Sequence, residues 1–489
     1  MTGPVVRRKD LILTLRLVRG SGLPLYRQVE SQLLEEISRG RLLPGTALPG
    51  SRELASQLGV NRKTVALAYD ELVSQGWLTS NPMKGTFVSD RGTGRPCKNA
   101  STTSPSSTKQ HYSIYDSDVT VPVFVSGGPI GSFDDGLPDP RILPINEFGR
   151  AYRSCLLAEA RAMRLGYSDP RGSEALRASI ARMLNSERGL SVGVDNICIT
   201  RGSQMAIYLA TRILARPGDT VALEELTYPP AHQSFRSHGV NVVPVRVGLD
   251  GVDLEHLEQL CRRQRIRSLY LTPHHHFPTT VTLPPEKRLR LLSIAEQYRF
   301  SIIEDDYDHE FNFGGQPMLP MAGFSPAKVV YIGSFSKTLS PHLRLGYIVA
   351  NPATINAIAN QIVLLDRQGD QVSELAVAKL LEQGDVVRHI RKALGVYQRR
   401  RDEFAVLLRN TFGDRISFSL PHGGLAFWVE LSEADLQSVL AASIGGIRLL
   451  TSHHLQIGEQ SRRGLRLGYA SKTTEEAESS LITLKRRLK

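Results

Sequence analysis

The chain has 489 residues, 41% of them hydrophobic and 22% charged, with a formal net charge of +12. That length exceeds one ordinary domain, and the larger part can bury a sizeable core. No run of eighteen apolar residues offers a membrane span, and charges stand near the N-terminus where a signal peptide would be apolar. Cys97, Cys155, Cys198 and Cys261 form no paired motif, so a cytoplasmic protein in a reducing compartment is expected.

After an N-terminal segment, residues 1–22, the apolar positions Leu25, Val29, Leu33, Leu34 and Ile37 recur at helical spacing and predict a first helix. Pro44 and Pro49 break the chain. Ser51 is placed to cap a second helix carrying Leu54, Ala55 and Leu58, which Gly59 ends. Asn61 can cap a third, from Arg62 to about Ser74, with Val65, Leu72 and Val73 facing inward. Two short helices joined by a glycine-containing turn form a helix-turn-helix. Gly76–Ser80 and Thr86–Val88, flanking a turn at Asn81–Gly85, read as a hairpin wing.

The exposed start of the third helix offers Asn61, Arg62, Lys63 and Thr64. Arginine and lysine there can reach guanine edges in a major groove, while Thr64 and Arg52 suit phosphates or base edges. Residues 1–98 hold 15 Lys+Arg against 8 Asp+Glu, leaving a net +7 in a fifth of the chain. A basic excess concentrated this way is an electrostatic footprint for nucleic acid. From about residue 23 to 90 the sequence closely resembles the GntR-type winged helix-turn-helix. The resemblance rests on Leu25-Tyr26, Gly40-Arg41-Leu42-Leu43-Pro44-Gly45, Leu48-Pro49-Gly50-Ser51-Arg52, Leu58-Gly59-Val60-Asn61-Arg62-Lys63-Thr64-Val65 and Gly85-Thr86-Phe87-Val88. It implies double-stranded DNA as partner, with Lys84 and Gly85 at the wing tip joining the helix residues. Pro82-Met83-Lys84 departs from the usual Gly-Ser and makes that tip stiffer and more basic.

Residues 91–129 read as a flexible linker, since the stretch from Ser89 to about Asp118 is rich in Ser, Thr, Gly, Lys and Pro with little apolar periodicity. From 130 to 489 apolar strand-like runs alternate with helical patterns, which predicts an α/β fold with a mostly parallel sheet covered by helices. Ile199-Thr200-Arg201-Gly202-Ser203-Gln204 reads as a strand, a glycine turn and the start of a helix through about Leu214, a place where backbone N–H groups and the helix dipole favour an anion. Tyr228 follows the apolar strand Val221–Leu223, where an aromatic either stacks on a planar ring or packs. Phe300–Ile303 ends in Glu304-Asp305-Asp306-Tyr307, a buried parallel strand running into its loop or an acidic strand end facing water. Strand alternation sets Asp305 and Tyr307 on one face. A buried carboxylate there would keep a pyridine nitrogen protonated. In Tyr331–Tyr347 a small-residue turn presents Lys337, with Ser334 and Ser336 before it and Arg344 after it. Those groups suit a Schiff-base lysine whose aldehyde partner carries a phosphate, the combination that pyridoxal phosphate demands. His274, His275 and His276 have no second ligand cluster at metal spacing, so they read as pocket edge or loop, with no metal expected.

Together these residues resemble the fold-type I pyridoxal-phosphate aminotransferases, from about residue 130 to the C-terminus. The resemblance implies that Lys337 carries the cofactor as a Schiff base, Asp305 pairs with the pyridine nitrogen, Tyr307 faces the ring oxygen and Tyr228 stacks on the ring. Gly202, Ser203 and Gln204, with Ser334, Ser336 and Arg344, would hold the phosphate. Tyr167, in Gly166-Tyr167-Ser168-Asp169-Pro170-Arg171-Gly172, is similar to a tyrosine that reaches the neighbouring subunit's phosphate, and Arg466, in Leu465-Arg466-Leu467-Gly468-Tyr469, to an arginine that clamps an effector or substrate carboxylate. Phe277-Pro278-Thr279-Thr280 departs from the family's Pro-Thr-Gly loop: the glycine is absent, and Phe277 replaces the asparagine usual in the enzymes.

The two halves in one chain resemble the MocR/GabR family of bacterial regulators. That implies a pyridoxal-phosphate-dependent transcription regulator and a head-to-tail homodimer, in which each DNA-binding domain lies over its partner's large domain. An amino compound would displace Lys337 from its imine and shift the DNA-binding state; the cofactor itself as signal is the variant of this reading. An active aminotransferase that carries a DNA-binding domain is the competing class, and a degenerate fold used only for dimerisation is the third.

Overall fold

In the computed structural model, which describes residues 13, 15–20, 22–90, 132–314, 318–444, 448–458 and 462–487, the chain divides into two compact units, Met1–Tyr115 and Asp116–Lys489. The expected linker, 91–129, and Cys97 lie outside the described residues. Cys155, Cys198 and Cys261 are free thiols.

In the small unit α1 (Leu25–Ser38), α2 (Ser51–Leu58) and α3 (Arg62–Ser74) precede the antiparallel hairpin β1 (Leu78–Asn81) and β2 (Gly85–Val88). The helical spacing of apolar residues holds it together: Val29, Leu33, Leu54, Val65 and Leu72 share one buried core. Gly59 caps α2 at φ 61°, in the left-handed region that glycine tolerates. The Asn61 side chain accepts the Lys63 N–H, as a cap should. Ser51 differs from expectation: it is the first helical residue, Gly50 holds the cap position, and no side chain caps α2. The N-terminal segment is tied down by two glutamine amides that mimic a strand partner. Gln32 bonds both backbone groups of Arg16, and Gln28 those of Val18.

The large unit is built on a seven-stranded sheet from β3 (Ile197–Thr200), β4 (Thr220–Glu224), β5 (Asn241–Val245), β8 (Ile266–Leu271), β9 (Ser301–Asp306), β10 (Val329–Ser334) and β11 (Gly346–Val349), with a two-stranded hairpin of β6 (Val247–Gly248) and β7 (Gly251–Val252) beside it. The order is β3-β11-β10-β9-β8-β4-β5, and only β11 runs antiparallel to its neighbours. Helices bury apolar residues against both faces: Ile199, Leu269 and Ile302 on one, Cys198, Tyr270 and Ile303 on the other. That agrees with the expected α/β architecture. The sequence reading did not resolve a second layer, an antiparallel sheet of β12 (Ile416–Ser417), β13 (Ala426–Leu431), β14 (Leu450–Thr451) and β15 (Gly464–Gly468), packed with the long helix Asp385–Phe412. Two of its strands, β12 and β14, are only two residues long and do not stand out from one sequence.

The acidic end of β9 faces protein, not water. The strand runs on through Asp306, and Glu304, Asp305 and Asp306 are all buried. Alternation sends Asp305 to one side and its two neighbours to the other. Glu304 accepts the backbone N–H groups of Met321 and Ala322, and burial pushes its pKa up to about 7. Asp306 accepts from Arg188 at 2.5 Å and from the Tyr331 hydroxyl at 2.8 Å. Burial opposes that charge, yet the Arg188 guanidinium holds the carboxyl well below the ordinary range. Arg188→Met is therefore expected to destabilise the large unit by about 3 kcal/mol, because it strands a buried carboxylate; urea unfolding of the cofactor-free protein measures it.

Candidate cofactor cavity and nucleic-acid interface

Beyond the ends of β4, β8, β9 and β10 lies a cavity of about 310 Å³. Lys337, just after β10, points its Nζ to the Gly136 carbonyl at 2.8 Å. Ser334, Ser336, Arg344, Ser203 and Gln204 line one part; Asp305, Tyr228, Tyr307 and Phe277 line another. The expected cofactor residues thus converge. Gly202 opens the helix α6 (Gly202–Leu214), whose first backbone N–H groups have no partner within the helix. α4 and α5 are Ile145–Arg161 and Glu174–Glu187. A side chain at Gly346 would press to within 2.8 Å of the Gly202 carbonyl carbon and 2.9 Å of the Ser203 nitrogen, so the close approach of β11 to this helix start requires glycine.

The floor of the cavity is Asp305. Its Oδ2 accepts the Tyr270 hydroxyl at 2.8 Å, while Oδ1 is buried with no hydrogen-bond partner. Burial pushes the carboxyl up to about 7. An unpartnered buried oxygen in this place fits a protonated ring nitrogen, and the helix start with Arg344 and two serines fits a phosphate. The residues present suit pyridoxal phosphate.

Tyr228 meets Phe277 edge to face at 5.3 Å, and the Tyr307 hydroxyl donates to the His275 carbonyl at 3.1 Å. Tyr167 lies outside the cavity, 80% exposed, with Arg367 over its ring. Arg466 is fully buried on β15 and does not line the cavity: Nε donates to the Asp135 carbonyl at 2.8 Å and Nη1 to that of Pro278 at 2.9 Å, and the guanidinium stacks on Phe277. His274, His275 and His276 are buried in the loop after β8 rather than at the cavity edge; His275 bonds Asp308 and His276 bonds Thr279. Among the described residues no cluster of His, Cys, Asp or Glu is placed to hold a metal. Thr280, where the family has glycine, sits at φ 61°, a strained setting for a β-branched residue. Sequence reasoning missed two residues. Tyr270 was legible in principle, as the inward-facing member of the apolar run Ile266–Leu271. Asp135, whose Oδ1 is 3.9 Å from Lys337 Nζ, came with no local pattern.

On the small unit Arg52, Asn61, Arg62 and Lys63 are exposed and Thr64 is half-buried; Lys84 and Gly85 are exposed at the wing tip. Arg19, from the N-terminal segment, donates to the Gly59 carbonyl at 3.0 Å and so brings another cation to the turn before α3.

A winged helix-turn-helix and a fold-type I cofactor cavity in one chain define a DNA-binding protein with a pyridoxal-phosphate unit. The model for bacterial regulatory proteins of the gntR family matches residues 25–88, and that for aminotransferase class I and II matches 139–482. The probable rhizopine catabolism regulatory protein MocR of Rhizobium meliloti is 30% identical over 474 residues, 95% of this chain and 94% of that one. The pyridoxine biosynthesis transcriptional regulator PdxR of Corynebacterium glutamicum is 26% identical over 447 residues, 91% of each chain. Among solved structures, the α-aminoadipate aminotransferase LysN of Thermus thermophilus, complexed with N-(5'-phosphopyridoxyl)-L-leucine, is 29% identical with a TM-score of 0.67, covering 73% of this chain and 92% of that one. The chain belongs to the MocR-type regulators, which join a GntR-type DNA-binding domain to a class I and II aminotransferase domain.

Asp305 supplies a test of the cavity floor. A carboxyl raised to about 7 in the fold favours the native state while protonated and loses that advantage as pH climbs from about 4 through 7. Buried Glu304 and Glu224, raised to about 7 and 8, act in the same sense. Cofactor-free Asp305→Asn should therefore be more stable than wild type at pH 8, by on the order of 2 kcal/mol, and equal to it near pH 4. Urea unfolding at both pH values checks this, and the variant should bind pyridoxal phosphate more weakly.

Proposed function

We propose that the chain is a cytoplasmic, homodimeric transcription regulator in which a small amino compound acts on the large unit and alters DNA binding by the small one. The unpartnered Asp305 Oδ1, set in the same cavity as Lys337, carries this reading. When bound, pyridoxal phosphate supplies an aldehyde that condenses with amines and a ring that draws electrons from them. Lys337 would hold the aldehyde carbon, Asp305 the ring N–H and Tyr307 the ring oxygen. Ser203, Gln204, Ser334, Ser336 and Arg344 would hold the phosphate, against the helix start at Gly202. Tyr228 would pack on the ring.

Phe277, in the place of the enzymes' asparagine, favours a sensor over an enzyme, because an aromatic ring cannot hydrogen-bond to the cofactor. No helix among the described residues is long and apolar enough to cross a membrane. Met163, Leu165 and Tyr167 are exposed, as are Leu364 and Leu365, and the two stretches meet where the Ser168 N–H donates to Gln368. An apolar patch of that kind suits a subunit interface, and its tyrosine the expected reach into a partner's site. An effector moves such an equilibrium only by binding the two states unequally.

Two variants test the reading. Lys337→Ala should lose both the cofactor's visible absorption after gel filtration and the mass gained on borohydride reduction; retention of both would assign another lysine. Arg62→Ala should weaken binding to the operator by about 1–3 kcal/mol and binding to unrelated duplexes far less, as footprinting and anisotropy would show. An equal loss on all sequences would make Arg62 a phosphate contact.

A further inference from the structure

The lysines and arginines of the small unit fall into two sets. Arg27, Arg39 and Arg41 are each paired with a glutamate of α1. Arg16, Arg19, Arg52, Arg62, Lys63 and Lys84 are exposed, and among the described residues no carboxylate pairs with them. Four of these six belong to the winged helix-turn-helix, at the starts of α2 and α3 and at the wing tip. Arg16 and Arg19 come earlier, ahead of residues 25–88 that the gntR-family model matches.

The segment that carries them is built in, not a loose tail. Leu13 is buried in the small unit's core and Leu15 and Leu17 pack against it, while Arg16 and Val18 face out. A period of two marks an extended strap. Gln32 and Gln28 of α1 hold its backbone, and Gln28 also donates to the Leu23 carbonyl at 2.8 Å. Gly20 at φ 87° and Gly22 at φ 77° then let the chain turn into α1. Arg19 is the last residue before that turn. Its Nη2 donates at 3.0 Å to the carbonyl of Gly59, which ends α2 just ahead of Asn61, the cap of α3.

A helix with its side chains is about 10–12 Å across, and the major groove of DNA is about 12 Å wide. A helix that enters by its first turn therefore fills the groove, and a cation held beside that turn meets the groove wall, which is phosphate. Arg19 stands in such a place. With one N–H given to Gly59, a guanidinium keeps others for an anion. Resting on the reading of the small unit as a DNA-binding domain, we propose that Arg19 is a contact to a DNA phosphate, presented by the N-terminal strap, and that the nucleic-acid interface extends beyond the winged helix-turn-helix. The contact is independent of base sequence. Leucines and glutamines order the strap before DNA arrives, so little entropy is lost on binding.

The test uses the full-length protein and two probes: a duplex that it selects from a random pool, and an unrelated duplex of the same length. Anisotropy gives the affinity for each over a series of salt concentrations. Each phosphate neutralised adds about 0.9 to the steepness with which log affinity falls against log salt. Arg19→Ala should lower that steepness by about 1 on both duplexes, a loss of about tenfold in affinity near 0.1 M salt. Arg19→Gln keeps a donor for Gly59 without the charge and should match the alanine variant; Arg19→Lys should restore the wild-type slope. Thermal melting checks that each variant is folded, and the glutamine variant carries the test should alanine loosen the turn. A wild-type slope in Arg19→Gln would overturn the proposal and leave Arg19 as a brace for the turn. So would a loss confined to the selected duplex, which would make it a base contact. Failure of the wild type to bind any duplex would remove the DNA-binding reading, and this proposal with it.

Discussion

Three consecutive carboxylates buried on one strand are the constraint around which the large unit is arranged. Burying an acid is costly unless the charge is paired or given up, and β9 does this three times in succession. The pleat separates the solutions. Glu304 and Asp306, on one side, accept from backbone N–H groups, from Arg188 and from Tyr331, with only Asp306 Oδ1 left without a partner. Asp305, on the other, lines the cavity and keeps one buried oxygen without a partner. The ion pair at Asp306 anchors the strand end next to Asp305. A site prepared in this way carries its electrostatic cost in the empty state and recovers it when a positively charged ring arrives.

Much of this was legible in the chain. Apolar residues at helical spacing, with Gly59 and Asn61 as punctuation, gave the winged helix-turn-helix to within a residue or so, because local rules decide short helices and their ends. The alternation in Glu304-Asp305-Asp306-Tyr307 foretold which acid lines the cavity. Ser51 failed as a cap because one residue's shift of a helix start cannot be seen without the backbone. The short antiparallel sheet and the carbonyls that occupy Arg466 depend on contacts between distant segments, such as Arg466 to Asp135 and Pro278. A motif names a residue type at a position; it does not say who else wants its hydrogen bonds. Asp135 belongs to the same category, since only tertiary packing brings it beside Lys337.

The relatives divide along the same line. The likeness to MocR runs the length of the chain, whereas LysN shares the large unit alone. In the loop after β8, Phe277 lines the cavity and Thr280 is held at φ 61°. The groups that suit the cofactor remain.

Lys337 is carried by the larger sheet, at the end of β10. The stretch holding Asp135 is laced instead to the smaller one: Phe133 N–H bonds the Arg448 carbonyl, and Gly468 N–H the Asp134 carbonyl. Whatever occupies the gap between this lysine and this aspartate is therefore a clasp between two sheets.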